Sequence, residues 1–114
     1  MKELTVEQRI KREETRLKRV FKDIDKNKLT VVEGLIHNAA WSRITLDDLQ
    51  RQITAEGVTA EYQNGENQKG TRQSDATRSH ISITKNYTAI IKLLTELAPA
   101  EKKKESRLQA LRDE

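Results

Sequence analysis

A regular repeat of mostly apolar side chains between residues 76 and 97 constrains the fold of this chain more than any other feature. The side chains recur at alternating steps of four and three residues, at Ala76, His80, Ile83, Tyr87, Ile90, Leu94 and Leu97. This is the heptad spacing of helices that pack along a coiled-coil-like seam. Ser74 precedes the repeat as a predicted N-cap and Pro99 follows it, so we expect one long helix between them.

A second long helix is predicted over Leu29–Glu56, with Gly57 placed to end it. It has two apolar faces, and each must be covered by another element. One face holds Leu35, Ala39, Leu46, Leu49 and Ile53, and the other holds Leu29, Val32, Ile36 and Ala40. Trp41 is a large potential anchor near the middle of the helix. The two long helices together predict an antiparallel helical hairpin.

The segment that connects these helices, residues 58–73, is too polar to form a core of its own. Val58, Ala60 and Tyr62 alternate as in a short strand, and Asn64-Gly65 is a strong turn signal. The connection is therefore expected to be a polar loop or a short β-hairpin.

The N-terminal segment predicts a third helix, which begins at a capping box formed by Thr5 and Gln8. We expect it to run to about Asp25, with Asn27 as the cap of the next helix. Because residues 7–16 are almost wholly polar, the first half of this helix is expected to project from the fold or to pack only on another subunit.

The chain is thus predicted to be all-α and to have three parts. Residues 1–28 form a projecting basic helix, residues 29–98 form the hairpin core, and residues 99–114 form a charged flexible tail, helical near Leu108–Leu111 only when bound.

The predicted core is thin, since 34% of the residues are hydrophobic and 4% are aromatic. A protomer of this composition is expected to complete its core by association into an oligomer. The predicted interface residues are Trp41, Leu46, Leu49, Tyr62, Ile83, Tyr87, Ile90 and Leu94.

Positive charge is concentrated at the N-terminus, where residues 1–28 carry ten Lys and Arg against six Asp and Glu. Cations along a helix can follow the phosphates of DNA. The candidate DNA-binding residues are Arg9, Lys11, Arg12, Arg16, Lys18, Arg19 and Lys22. An alternative of equal weight is a solvated helix with Glu–Arg pairs, such as Glu13 with Arg9 or Arg16.

The catalytic inventory is poor, which predicts a non-enzyme without metal or cofactor. The chain has no cysteine and two histidines, His37 and His80, neither with an obvious metal-binding companion. Asp47 and Asp48 are adjacent on a helix and so point in different directions. No apolar run is long enough to cross a membrane and no signal peptide is recognisable, so we expect a soluble, intracellular protein.

Several phrases of the sequence resemble, in this order, the short small terminase subunits found in tailed phages of Gram-positive bacteria. They are FKDIDKNKLTVVEGLI (21–36), TLDDLQRQITAEG (45–57), EYQNGENQKG (61–70) and ITKNYTAIIKLLTELAP (83–99). The resemblance covers about residues 17–99. It departs from many small terminases in having no room for an N-terminal helix-turn-helix domain, so DNA is expected to meet cations arrayed around an assembly.

The resemblance implies a non-catalytic DNA-packaging protein of the host bacterial cytoplasm. Its partners would be double-stranded viral DNA, further copies in a homo-oligomeric ring, and the large terminase subunit, which owns the ATPase and nuclease and would contact residues 99–114. Two other interpretations stay open: a coiled-coil scaffold without DNA binding, and a small regulator that acts on an enzyme through the tail.

Overall fold

The computed structural model of the chain describes residues 3–63, 65, 69–99 and 103–112, with the side chains of residues 103–106 left aside. The described elements are mostly helical. They are α1 (Val6–Val20), a 3-10 turn (Lys26–Lys28), α2 (Leu29–Glu56), β1 (Thr59–Gln63), β2 (Lys69–Gln73), α3 (Asp75–Leu97) and α4 (Lys103–Arg112). The fold is therefore largely the predicted helical one, with a small antiparallel sheet in the polar connection.

Helices α2 and α3 pack against each other in opposite directions. At one end, the Ser74 amide donates to the Val58 carbonyl over 3.0 Å. Further along, the guanidinium of Arg43 lies over the Tyr87 ring, 5.4 Å from its centroid. The two helices therefore run antiparallel, as in a helical hairpin.

Local capping explains where α1 and α3 begin and where α2 ends. The predicted capping box is present at α1, with the Thr5 side chain accepting from the Gln8 amide and the Gln8 side chain from the Thr5 amide. The Ser74 side chain accepts from the Thr77 amide at the start of α3. Gly57 ends α2 with φ of 97°, a conformation that favours glycine.

The junction between α1 and α2 differs from the prediction. Helix α1 ends at Val20 rather than near Asp25, because the chain turns there and brings both Phe21 and Ile24 into the core. Asn27 does not cap α2. Instead its amide donates to the Asp25 side chain within the 3-10 turn, and α2 begins without a side-chain cap.

The core is a single cluster shared by the four helices. It includes Leu17 and Phe21 near the end of α1, Ile36 on α2 and Leu94 on α3, all buried, together with Ala110 on α4. Ile10, near the start of α1, is half-buried against the same cluster.

Helix α1 does not project, contrary to the expectation from its polar first half. Two cross-helix contacts hold that half against α2: Arg9 Nη1 donates to Asp48 Oδ1 over 2.8 Å, and Glu14 lies beside the His37 ring. Polar residues in α1 therefore pair across the helix–helix contact, where the sequence pattern suggested only solvent.

The connection between α2 and α3 is the short β-hairpin allowed by the prediction. Tyr62 pairs with Gly70 across the two strands, and a Cβ at Gly70 would lie 2.9 Å from the Tyr62 hydroxyl, so the ring covers the glycine. Gly65 has φ of 89°, whereas Asn64, the other half of the predicted turn, lies outside the described residues.

The C-terminal segment contains a packed helix where a flexible tail was predicted. Ala110 of α4 is fully buried, and Arg16 Nη2 donates to its carbonyl over 3.3 Å. A single small apolar residue fills the contact with the core, which explains why this charged segment carries no visible amphipathic pattern.

Candidate nucleic-acid interface

Five cations form a continuous exposed surface at the N-terminal end of the molecule. They are Lys11, Arg12, Lys18 and Arg19 on α1 and Lys22 just beyond it. We call this set the cationic surface. Each of the five is exposed, and none forms a salt bridge with any residue that the structure describes.

Helical geometry orders the cationic surface into two lines. Arg12 and Arg19 are seven residues apart, as are Lys11 and Lys18, so each pair lies about 10.5 Å apart along one side of α1. Glu13 and Glu14, the acids in the middle of α1, are engaged by Arg16 and by His37 of α2, respectively. The outward side of α1 is thereby left with a strong excess of positive charge.

Two of the seven predicted DNA-binding residues are engaged inside the protein. Arg9 is paired with Asp48, and Arg16 forms a two-pronged pair with Glu13 through Nε (2.7 Å) and Nη2 (2.8 Å). Arg16 was expected to be exposed, but its side chain is mostly buried between α1 and α4. The prediction of a Glu13 pair with Arg16 is confirmed, whereas DNA binding by the other cations stays a prediction.

The Asp48 carboxylate is the electrostatic link between α1 and α2. Partial burial alone would raise its pKa, but hydrogen bonds and charge from Arg9 and Arg51 outweigh burial and hold the pKa below its usual value. The predicted Asp48–Arg51 surface pair is present. Because the carboxylate stays ionised, it fixes Arg9 and keeps that cation away from solvent-borne anions.

An open groove of about 510 Å³ runs beside α1 and is lined by both salt-bridged and exposed arginines. Arg9, Arg12, Arg16 and Arg19 line it, together with the acids Glu13 and Asp47. Arg16 is paired with Glu13 and Arg9 with Asp48, so the outer pair, Arg12 and Arg19, is better placed to meet an external anion.

The described residues hold no cluster of His, Asp or Glu that could bind a metal ion. His37 is exposed beside Glu14, and His80 is half-buried with its carbonyl accepting from Thr84 Oγ1 over 2.7 Å. Asp47 and Asp48 do not converge, since Asp47 pairs with Arg43 and Asp48 with Arg9 and Arg51.

The predicted oligomer-interface residues fall into three groups. Leu46, Tyr87 and Leu94 are buried within the chain's own core, so they are not available to a second chain, and their assignment to an interface is corrected here. Leu49, Ile83 and Ile90 are half-buried. Trp41 (47% exposed) and Tyr62 (41% exposed) lie largely open to solvent.

Some contacts could not be found from sequence spacing. Arg9–Asp48 and Glu14–His37 join residues far apart in the chain, so nothing in the local pattern identifies the partners. Arg43 was also missed, although its pairing with Asp47 four residues later is a signal that the sequence does contain.

Helix α1 and Lys22 beyond it thus present exposed cations that no described acid pairs with, and α1 is held to α2 by its inner face. Such a surface can bind a polyanion through phosphate contacts without reading base sequence. Among the described residues, no helix is both long and apolar enough to span a bilayer. Comparisons with protein-family models, curated proteins and solved structures return no match for this chain.

Proposed function

We propose that this protein is a non-catalytic phage DNA-packaging component of the small-terminase type. In this role it binds double-stranded viral DNA, assembles into a homo-oligomeric ring in the host cytoplasm, and recruits or regulates the large terminase subunit. The proposal combines the ordered phrases at residues 21–99 that resemble small terminases with the charge distribution of α1.

The observation that carries the DNA-binding part is the cationic surface. Its five members are exposed and unpaired among the described residues, whereas Arg9 and Arg16 are held by Asp48 and Glu13. A helix in which every cation was matched by a neighbouring acid would support only the solvated alternative. Here the acids take the inner cations and leave the outer ones for phosphates.

The absence of a DNA-reading helix-turn-helix in the described fold favours binding that is weak for each protomer and independent of base sequence. Five phosphate contacts give an affinity that falls steeply with salt, by a factor of about 10^4.5 for each tenfold rise in salt concentration. Repetition of the surface around an assembly would raise the overall affinity through multivalency.

Contact with the large subunit is assigned to α4. Leu108 and Leu111 on this helix are exposed, while Ala110 between them is buried against the core. The helix is therefore docked by one side and presents two leucines on the other. Replacing both leucines by Ala, rather than deleting residues 100–114, would test the contact without removing Ala110 from the core.

The DNA-binding part is tested by a gel-shift titration with duplex DNA at two salt concentrations. The double variant Arg12→Glu/Arg19→Glu should lose binding at both, since it reverses two phosphate contacts. The matched control is Lys85→Glu/Lys92→Glu, which makes the same change of net charge at exposed positions of α3 and should bind with a much smaller loss.

Three results are informative. Loss in the α1 variant alone supports the proposal. Equal loss in both variants would mean that net charge, and not the cationic surface, governs binding. An assembled wild-type protein without affinity for DNA at either salt concentration would overturn the proposal and favour the coiled-coil scaffold.

A further inference from the structure

One side of the α2–α3 hairpin carries aliphatic residues that the chain itself covers incompletely. We call this set the open face and define it as Leu35 and Leu49 on α2 with Ile83, Ile90, Leu93 and Leu97 on α3. All but Leu93 are half-buried, and Leu93 is 48% exposed.

The position of the open face follows from helical geometry. On α2, Leu35 and Leu49 lie a multiple of seven residues apart, on the flank opposite His37 and Asp48, the two residues that contact α1. On α3, the line of Ile83, Ile90 and Leu97 runs beside Tyr87 and Leu94, on the side away from the buried Ile91. In an antiparallel pair these two flanks adjoin on the side that α1 does not cover.

The heptad repeat of α3 forms two lines of side chains, and the chain itself fully buries residues on only one of them. Tyr87 and Leu94 fill the chain's own core with 5% and 0% exposure. Ile83, Ile90 and Leu97 pack against the edge of that core and keep part of their surface in water. A heptad seam in which alternate positions stay open is the pattern of a helix that packs on more than one partner.

The open face also lacks charge in a chain of which 35% is charged. The exposed residues along it on α3 include Ser79, Ser82 and Asn86, and its α2 flank includes Asn38 and Thr45. The nearest exposed charges, Glu56, Asp75 and Glu96, are acidic and lie at the ends of the two helices. Nucleic acid requires cations, and a highly charged protein would gain few ion pairs along the length of this face. The chemistry fits an uncharged helical surface instead.

We propose that the open face is the docking surface for a second copy of this chain, hairpin against hairpin. Each copy carries a net charge of +4, and like charges that meet in an interface are costly. The open face allows two copies to meet without opposing cations. The heptad line of α3, together with Leu35 and Leu49 on either side of the buried Ser42 of α2, also lets two identical hairpins pack as a four-helix core.

The size of the open face sets how much of the contact it can supply. The lines Leu35–Leu49 and Ile83–Leu97 are each about 21 Å long at 1.5 Å per residue, and two adjacent helices make the face about 20 Å wide. A flat patch of these dimensions is about 420 Å², so the uncharged residues beside it must join the contact to reach the ~800 Å² per partner of a specific protein–protein interface. Because both copies use the same face, this contact closes at two copies, and a ring would need a second contact between such pairs. The inference rests on the proposed function for the existence of an assembly, but not for DNA binding.

The test is sedimentation velocity over a range of protein concentrations, without DNA. Asn86→Arg and Leu93→Glu each place a charge on or directly beside the open face at an exposed position, and the matched control Thr88→Arg places one at an exposed position on the opposite side of α3. We expect the wild type to associate, the first two variants to dissociate with a Kd at least tenfold weaker, and the control to associate like the wild type. Unchanged helical circular dichroism in all four proteins checks that folding is intact.

A wild type that stays monomeric at ~100 µM would overturn the proposal. So would normal association of both open-face variants, which would place the contact elsewhere, or equal loss in the control. The outcome is separable from the proposed function. Loss of DNA binding in a fully assembled protein counts only against the DNA-packaging role, whereas normal assembly of both open-face variants counts only against the open face.

Discussion

The cationic surface of α1 and the open face of the α2–α3 hairpin are opposites in chemistry, although both belong to the same small core. The first consists of exposed Lys and Arg that have no acidic partner among the residues the structure describes, and the second consists of aliphatic side chains. They also lie on different sides of the hairpin. The difference indicates that polyanion binding and self-association use separate surfaces, so a variant can remove one property and leave the other.

The largest effect is expected from a comparison of two adjacent residues of α3, one in the chain's own core and one in its open face. Leu94 is fully buried and Leu93 is 48% exposed. Leu94→Ala should lower the free energy of unfolding by about 2–5 kcal/mol because it leaves a cavity. Leu93→Ala should change it by no more than about 0.5 kcal/mol. Urea unfolding at low protein concentration measures both.

A large loss at Leu93 under those conditions would mean that the open face is part of the protomer's own core. The assignment of Leu93 to an interface and of Leu94 to the core would then be wrong.

An intermediate effect is expected at the junction between the β-hairpin and α3. Thr77 is buried, and its hydroxyl donates to the Val58 carbonyl over 2.9 Å. Thr77→Val keeps the shape of the side chain but leaves that carbonyl without its side-chain donor, at a cost of about 1–2 kcal/mol. Thr88→Val, at an exposed position of the same helix, serves as the control and should change the melting temperature little.

If Thr77→Val melted like its control, the hydroxyl bond would have no role in holding the hairpin to α3. The Ser74 amide, which donates to the same Val58 carbonyl over 3.0 Å, would then be the bond that joins the strands to α3.

The smallest effect concerns Asp48, which ties α1 and its cations to α2. Its pKa is lowered in the folded protein, so its contribution to stability is present above the carboxyl's unfolded pKa and is lost as the pH falls through the folded value. Asp48→Asn should therefore destabilise the protein at neutral pH, by less than about 1 kcal/mol because the pair is partly exposed. The difference from the wild type should shrink in acid.

Thermal melts between pH 7 and pH 2 follow that difference. A difference in stability between Asp48→Asn and the wild type that stayed constant down to pH 2 would show that the carboxylate charge is not what links α1 to α2. Asp75, whose pKa is lowered by Arg78 and then by Arg72, titrates in the same direction, so Asp75→Asn is the appropriate comparison.

Local chemistry made much of the fold predictable. The bounds of α2, the Thr5 and Ser74 caps, the end of α2 at Gly57 and the strand pair follow from signals within a few residues of each position. The packing of α1 and α4 was not predictable in the same way. It depends on Asp48, His37 and Ala110, whose partners lie far away in the sequence.

The candidate site shows the same limit. The sequence identified all seven cations but could not distinguish Arg16, held by Glu13 and packed against α4, from Arg12, which faces solvent. Likewise, the heptad repeat identified Ile83, Tyr87, Ile90 and Leu94 together. Only the packing of α2 onto α3 divides them into residues of the core and residues of the open face.

The most direct test of the account is the salt dependence of DNA binding, measured by fluorescence anisotropy with a labelled duplex. The logarithm of the binding constant should fall linearly with the logarithm of the salt concentration, and each lost phosphate contact should reduce the slope by about 0.9. Arg12→Gln/Arg19→Gln should thus lower the slope by about 1.8 per protomer. Lys85→Gln/Lys92→Gln should leave it unchanged. The same slope in the wild type and the Arg12→Gln/Arg19→Gln variant would contradict the assignment of DNA binding to the cationic surface of α1.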